Sequence, residues 1–153
     1  MDRRNFLRTS ILGTALAMSP VSFSAFGKPT VKASGKPGRL NLSFSPYELK
    51  LRHAFNLAKN KRTTTPGVQV QLEYDGLIGY GEASMPPYLG ESVSSVTEFL
   101  GKLGLSQFSD PFRIEDIHAY MESVAPDNRA AKASVDIALH DLLGKIMGQP
   151  WYK

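Results

Sequence analysis

A β-hairpin at residues 68–83 constrains the fold of this chain more than any other feature of its sequence. Apolar and polar residues alternate along its first half, and this period of two is typical of a strand with one buried face. Asp75-Gly76 follows and favours a two-residue type I′ turn, because glycine tolerates the positive φ that this turn requires. The second half carries Gly79 and Gly81, which leave room for another backbone or a ligand to approach. The sequence therefore predicts an antiparallel hairpin with a site of close approach.

A further strand is predicted ahead of the hairpin. Apolar residues alternate on both sides of Pro46, but the alternation shifts by one residue there: Leu40, Leu42 and Phe44 precede it, and Tyr47, Leu49 and Leu51 follow it. Such a shift turns side chains to the opposite face, so a bulge or break is expected near Ser45 and Pro46. Proline also indicates an edge strand, because it donates no ladder hydrogen bond. The polar residues 55–65 are predicted to form a mobile loop between this strand and the hairpin.

Three helices are predicted after the hairpin. Apolar residues recur there at spacings of three and four, as one face of a helix requires, in residues 93–103, 114–124 and 131–146. Strands come first and helices second, without alternation, and this order is typical of an α+β fold. The predicted architecture is a three-stranded antiparallel sheet followed by a three-helix cluster.

Capping residues predict the ends of these helices. Ser95 and Glu98 fit a capping box for the first helix, and Ser92 is an alternative cap. Asp127 is the expected cap of the third helix, and Gly148 is its expected end.

The composition and the charge distribution limit the chemistry and the partners of the chain. It has no cysteine, which excludes disulfides, thiolate zinc sites and a cysteine nucleophile. Residues 28–62 contain nine Lys or Arg and one acid, a net +8, whereas residues 63–153 contain six and twelve, a net −6. The basic residues lack a ladder of stacking aromatic side chains and the other half is acidic, so nucleic acid is not an expected partner.

The first 27 residues resemble an export signal. An Arg-Arg pair followed by Phe-Leu at residues 3–7 resembles the twin-arginine motif, and a mildly apolar run and small residues come next. The run is too short for a membrane span, which needs about 20 apolar residues. We therefore expect a signal peptide at residues 1–27, a basic linker at residues 28–39, and a periplasmic location with membrane contact only during export. The cleavage position stays open.

No complete catalytic set is visible in the sequence. His53 is expected at the end of the first strand, and His118 and His140 are expected on helices. Neither helical histidine has a second histidine at metal-binding spacing, so structural roles are expected for His118 and His140. Asp136 and Asp141 are five residues apart, which places them on different faces of a helix and argues against a paired-carboxylate site.

Basic residues cluster in and near the loop expected at residues 55–65. Lys59, Lys61 and Arg62, with Arg52 nearby, have the chemistry to bind a carboxylate, and arginine binds one most strongly through its planar guanidinium. A solvated loop without a ligand explains the same residues equally well, so both interpretations stay open.

Four segments together resemble one protein family. They are LRHAF at residues 51–55, GLIGYGEAS at residues 76–84, PPYLGES at residues 86–92 and AAKASVDIALHDLLGKIMGQPWY at residues 130–152. These segments resemble the N-terminal capping domain of the enolase superfamily, in its mandelate racemase/muconate lactonizing subgroup, and most of all the dipeptide epimerases of the L-Ala-D/L-Glu type. The resemblance implies a capping domain at residues 40–150 and, at residues 151–153, the start of a (β/α)8 barrel that is missing from this chain.

The resemblance also implies a reaction and its cofactor. In this family the proton α to a carboxylate is removed and returned, Mg²⁺ stabilises the enediolate, and lysines act as bases from the barrel. No catalytic residue and no metal ligand is therefore expected in this chain, and the chain alone is expected not to epimerise. The expected partners are the barrel domain of the same protein and a small dipeptide with an acidic residue.

Two loops of the cap close over the substrate in this family, and they correspond to residues 55–65 and 82–89. The resemblance implies five candidate substrate-binding residues: Phe55, Lys59, Arg62, Met85 and Tyr88. Phe55 is expected to pack on the first substrate residue, and Arg62 or Lys59 to pair with the acidic side chain. Met85 and Tyr88 are expected to line the second loop, and Glu82 to hold that loop in place without touching substrate.

Two other functions remain open from the sequence. One is a different reaction of the same superfamily, cycloisomerisation or dehydration. The other is a non-catalytic binding module with the cap fold. A downstream coding sequence with Lys-x-Lys, then spaced Asp, Glu and Asp, then another Lys, would indicate an enzyme.

Overall fold

The computed structural model describes residues 38–57, 60–86, 88 and 90–152. The expected signal peptide and all but the last two residues of the expected linker lie outside this range. Three strands form one antiparallel sheet in the order β1-β2-β3, and three α-helices follow, with a short 3₁₀ turn at Leu105–Gln107. The elements are β1 (Asn41–Leu57), β2 (Asn60–Tyr74), β3 (Leu77–Ser84), α1 (Val93–Lys102), α2 (Ile114–Val124) and α3 (Arg129–Ile146). The α+β prediction is confirmed. Among the described residues, no helix is both long and apolar enough to cross a membrane.

The predicted hairpin is formed by β2 and β3. Asp75 and Gly76 both have positive φ, 48° and 81°, as a type I′ turn requires. The alternating residues of β2 lie inside: Val68, Val70 and Leu72 are fully buried. Burial of one face of β2 against the helices fixes the register, because a one-residue slip would expose all three side chains.

The first strand differs from its prediction. The pairing of β1 with β2 runs unbroken through Pro46, which lies opposite Val68, so the bulge expected near Ser45 and Pro46 is wrong. The irregularity lies further along, between Lys50 and Phe55. The alternation of apolar residues shifts at Pro46 because Leu49 lies exposed on the outer face of the sheet, and not because the strand pairing is interrupted. The edge position predicted from Pro46 is confirmed, since β1 borders the sheet.

The mobile loop predicted at residues 55–65 is also wrong. β1 continues to Leu57 and β2 begins at Asn60, and within this stretch Phe55 pairs with Arg62. Three consecutive threonines, Thr63 to Thr65, favour extended backbone, and cross-strand pairing satisfies the polar backbone. The loop was predicted from polar composition alone, and composition does not reveal this cross-strand pairing.

Helix α3 packs directly on β3 at its two glycines. A Cβ placed on Gly81 would overlap the backbone oxygen of Ser134 and lie 2.9 Å from the amide nitrogen of Ala138. A Cβ on Gly79 would overlap the backbone oxygen of Ala138 and lie 2.6 Å from the amide nitrogen of Leu142. The prediction that another backbone approaches these glycines is confirmed, and that backbone is α3.

Two predicted helix caps are wrong. Ser92, the alternative, caps α1 in a reciprocal capping box with Ser95, so the box of Ser95 with Glu98 does not form. Asp127 does not cap α3, because the helix starts after Asn128 without a side-chain cap from its own segment.

The N-terminus of α3 receives its acceptor from a distant residue. Both carboxylate oxygens of Glu91 accept from the amide of Ala130 at 3.1 Å. A carboxylate at this position also complements the helix dipole. The predicted end of α3 is confirmed, since Gly148 has φ +64° and donates its amide hydrogen to the carbonyl of Lys145.

The outer edge of β3 is closed by two side chains of α3. The amide of Tyr80 donates to Asp141 Oδ2 at 2.8 Å, and Lys145 Nζ donates to the carbonyl of Ile78 at 2.7 Å. Asp141 and Lys145 also pair with each other at 2.6 Å. Burial alone raises the pKa of Asp141, but the hydrogen bonds from Lys145 and the Tyr80 amide and the charge of Lys145 lower it below its ordinary value. These contacts occupy polar groups that an edge strand otherwise offers to another chain.

Replacing Asp141 with Asn should make the free energy of unfolding depend less on pH under acidic conditions. A carboxyl with a lowered folded pKa stabilises the fold above its unfolded pKa, and this contribution is lost as pH falls through the folded pKa. In urea denaturation followed by circular dichroism, the wild type should lose more stability than Asp141→Asn between pH 6 and pH 3. Asp127→Asn is the matched control, because Asp127 is exposed and makes no hydrogen bond within the described residues. Parallel profiles for wild type and Asp141→Asn would contradict the assignment.

Candidate functional site

One end of the sheet extends into a two-stranded ribbon. The last pair between β2 and β3 is Gly67 with Ser84, and beyond it the described strands pair β2 with β1 alone. We call residues 48–57 and 60–66 the ribbon. At about 3.3 Å per residue, its seven β2 residues reach about 20 Å beyond the end of β3. The chain leaves β3 at Ser84, at the same level, so the ribbon and the end of β3 lie at one end of the sheet.

The ribbon brings two predicted site residues together. Phe55 and Arg62 are a cross-strand pair, and the Arg62 guanidinium carbon lies 5.0 Å from the centre of the Phe55 ring. Arg62 is half-buried, and among the described residues its shielded Nε has no hydrogen-bond partner. Phe55 remains 47% exposed. A cation over an aromatic face at an exposed site gains about 0.5–1 kcal/mol, so the ring restrains the guanidinium.

The other candidate residues occupy different environments. Met85 is only 8% exposed and belongs to the core, whereas Tyr88 is 85% exposed. Lys59 lies outside the described residues. Of the second-loop candidates, Tyr88 therefore presents its side chain to solvent, and Met85 contributes by packing.

A contact at the root of the ribbon was missed by sequence reasoning. Tyr47 and Gly67 are directly opposite in the sheet, and a Cβ on Gly67 would lie 2.7 Å from the Tyr47 ring and hydroxyl. The ring therefore lies over Gly67 of β2, and its hydroxyl faces the side of the sheet that carries Glu82. Burial, the hydrogen bond to Glu82 and the negative charge of Glu82 raise the pKa of Tyr47 to about 12. No local pattern predicts a contact between residues that are 35 positions apart.

The alkaline stability of the chain should depend on Tyr47. A raised folded pKa means that the protonated hydroxyl stabilises the fold below its unfolded pKa of about 10. This contribution is lost as pH rises towards about 12. Urea denaturation at pH 8 to 11.5 should show a steeper loss for the wild type than for Tyr47→Phe. Tyr80→Phe, on the same face of the sheet, should retain the wild-type profile, and a match between Tyr80→Phe and Tyr47→Phe would contradict the prediction.

The histidines of the helices share one aspartate. His118 Nε2 lies 2.7 Å from Asp136 Oδ1, and His140 Nδ1 lies 2.9 Å from the backbone oxygen of Asp136 and 3.2 Å from Oδ1. Trp151 packs edge-on against the His140 ring at 4.6 Å. Asp141 lies apart from this cluster, at the edge of β3. The interpretation of each histidine as isolated thus missed a tertiary contact between α2 and α3.

The residues present do not fit a Mg²⁺ site. Within residues 38–57, 60–86, 88 and 90–152, no group of three or more His, Cys, Asp or Glu is placed to hold a metal ion. The His118, Asp136 and His140 cluster is rich in imidazole, whereas Mg²⁺ prefers carboxylate and water oxygens. No step through Mg²⁺ is therefore assigned to these residues.

Comparison with known proteins identifies what the chain is similar to. Residues 43–153 match the family model for the mandelate racemase/muconate lactonizing enzyme, N-terminal domain. The chain is 54% identical to the L-Ala-D/L-Glu epimerase of Bacteroides thetaiotaomicron over 99% of this chain and 41% of that protein. It is 32% identical to the hydrophobic dipeptide epimerase of Enterococcus faecalis over 69% of this chain and 31% of that protein.

A solved structure agrees with these sequence matches. The dipeptide epimerase from Enterococcus faecalis V583, complexed with Mg and the dipeptide L-Leu-L-Tyr, superimposes with a TM-score of 0.66 at 29% identity. The match covers 71% of this chain and 32% of that chain. The chain thus spans between about one third and two fifths of the length of these relatives.

Proposed function

Since the chain belongs to the mandelate racemase/muconate lactonizing enzyme family through its N-terminal domain, we propose that it is the capping and specificity domain of a dipeptide epimerase of the L-Ala-D/L-Glu type. In this proposal the parent enzyme removes and returns the proton on the α-carbon of a dipeptide. The capping domain selects a dipeptide that carries an acidic side chain. The observation that carries the proposal is the pairing of Phe55 with Arg62 on the ribbon.

The Phe55–Arg62 pair has the chemistry to recognise a carboxylate. A guanidinium presents a rigid fork of N–H donors that matches both oxygens of a carboxylate. The ring of Phe55 restrains this fork before a ligand arrives, which lowers the entropy lost on binding. The exposed half of Phe55 offers an apolar surface for the rest of the dipeptide. The pair therefore supports an acidic and not a basic substrate side chain.

The described residues bind and orient, and proton transfer belongs to other parts of the enzyme. In the described part of the chain, no group of three or more His, Cys, Asp or Glu is placed to hold a metal ion. The Mg²⁺ that we propose for the parent enzyme is therefore held elsewhere. We expect the 153-residue chain alone to leave L-Ala-L-Glu unchanged, as measured by deuterium incorporation at the α-carbon in D₂O.

A chimaera tests the proposal directly. Residues 40–153 replace the matching segment of the Bacteroides thetaiotaomicron epimerase, which is 54% identical to this chain. The expected result is α-carbon deuterium exchange of L-Ala-L-Glu by the chimaera and none by the chain alone. A folded chimaera that is inactive on every acidic dipeptide, beside an active parent epimerase, would overturn the proposed function.

A further inference from the structure

We propose that Tyr47, Gly67 and Glu82 form a brace that positions the ribbon, and with it Arg62, for substrate selection. This inference rests on the proposed function. Tyr47 and Gly67 are directly opposite each other in β1 and β2, at the level where β3 ends. Glu82 lies two residues before the end of β3, diagonally across from Gly67, on the same face opposite the helices. They are positioning residues, because they act on substrate only through the ribbon.

The brace lies at the root of a structure that is weak by itself. A two-stranded ribbon has no third strand to hold its direction and is marginally stable in water. Here β1 also loses its regular register between Lys50 and Phe55, within the ribbon. The direction of the ribbon is therefore set mainly where it leaves the three-stranded sheet, at the pair of Tyr47 with Gly67.

Gly67 makes the brace possible. A Cβ at this position would lie 2.7 Å from both the ring carbon Cζ and the hydroxyl of Tyr47. Any other residue would lift the ring off β2 and move its hydroxyl away from Glu82. The glycine is required here for space, since its φ is not in the positive region.

A small change of angle where the ribbon leaves the sheet displaces Arg62, because this residue lies far along the ribbon. Arg62 lies five residues beyond Gly67, about 16 Å along the strand at about 3.3 Å per residue. A rotation of about 10° at the root moves the guanidinium by about 3 Å, which takes it out of the range of about 2.7–3.2 Å in which it hydrogen-bonds a carboxylate. A small loss of direction therefore suffices to disturb selection without unfolding the domain.

The first experiment measures selection in the active chimaera. Tyr47→Phe and Gly67→Ala should each raise KM for acidic dipeptides about fivefold or more while kcat stays within about twofold. Glu82→Leu should raise KM to a similar extent, whereas Glu82→Gln, which keeps an oxygen that can accept from Tyr47, should leave KM close to the wild-type value. Tyr80→Phe is the matched control and should leave KM unchanged.

A double variant separates positioning from a merely structural role. If the brace acts through Arg62, adding Tyr47→Phe to Arg62→Ala should cause no further rise in KM. Additive effects of the two changes would overturn the proposal. Equal rises in KM for acidic and neutral dipeptides would overturn it as well.

The second experiment uses the 153-residue chain and requires no catalysis. Hydrogen exchange measured by mass spectrometry should be at least threefold faster in the ribbon of Tyr47→Phe than in wild type, with the β2–β3 hairpin unchanged. Unchanged exchange in the ribbon overturns the brace. Faster exchange with an unchanged KM overturns its role in selection. An inactive wild-type chimaera overturns the proposed function, and exchange then still decides whether the brace fixes the ribbon.

Discussion

Replacing Gly81 with Ala should destabilise the domain by about 3 kcal/mol or more, because the new methyl group has no space. It would overlap the backbone oxygen of Ser134 and lie 2.9 Å from the amide nitrogen of Ala138. Both atoms belong to the backbone of α3, so no side-chain rotation relieves the overlap. Relief requires α3 to move away from β3, which opens the core that includes Val135 and Leu139. A domain with a typical stability of about 5–15 kcal/mol would lose much of it.

Gly101→Ala is the matched control for this substitution. Gly101 lies in α1, and apart from its own turn of the helix no atom of the described residues lies within 4 Å of the place that a methyl group would take there. Alanine at this position should therefore be neutral or stabilise by about 0.5 kcal/mol. Urea denaturation followed by circular dichroism gives both free energies of unfolding. A Gly81→Ala protein that unfolds at the wild-type urea concentration would show that α3 does not rest on β3 as described.

Arg62→Ala should reduce kcat/KM of the active chimaera for acidic dipeptides by roughly 30- to 100-fold. A hydrogen-bonded charge pair contributes about 2–3 kcal/mol, and every 1.4 kcal/mol corresponds to a factor of ten. Neutral dipeptides lack the carboxylate, so their kcat/KM should change less than about threefold. The selectivity between the two substrate classes, and not the rate alone, is the measured quantity.

Two further variants sharpen the assignment of Arg62. Arg62→Lys keeps the charge but loses the planar fork, so it should fall between wild type and Arg62→Ala. Arg52→Ala is the matched control, because Arg52 is an exposed arginine on the same ribbon. An equal loss for acidic and neutral dipeptides in Arg62→Ala would remove Arg62 from the recognition of the acidic side chain.

Much of the fold could be predicted because it depends on short-range chemistry. The turn at Asp75-Gly76 requires positive φ at adjacent residues, and the alternation of β2 marks its buried face within a few positions. The bounds of α2, Ile114–Val124, follow from apolar spacing and the proline that comes after it. Each of these signals involves residues within a few positions of one another, so a single sequence is enough to recognise them.

The candidate site was predicted only in part. The resemblance pointed to Phe55 and Arg62, but the segment was expected to be a loop, and only strand pairing places the ring against the guanidinium. Met85 was expected to line the site, yet it is covered by the core. Exposure depends on which elements pack together, and residue type does not reveal it.

The sequence by itself determined the α+β order, the hairpin and the helix stripes, because each follows from the stereochemistry of neighbouring residues. Only the tertiary structure decided which distant groups meet: Glu91 at the start of α3, Asp141 and Lys145 on the edge of β3, and Tyr47 with Glu82 across Gly67. These contacts join residues tens of positions apart. They therefore depend on the strand register and on the packing of α3 against Gly79 and Gly81. The physical reason is that local conformational preference acts over a few residues, whereas register and packing are properties of the whole folded chain.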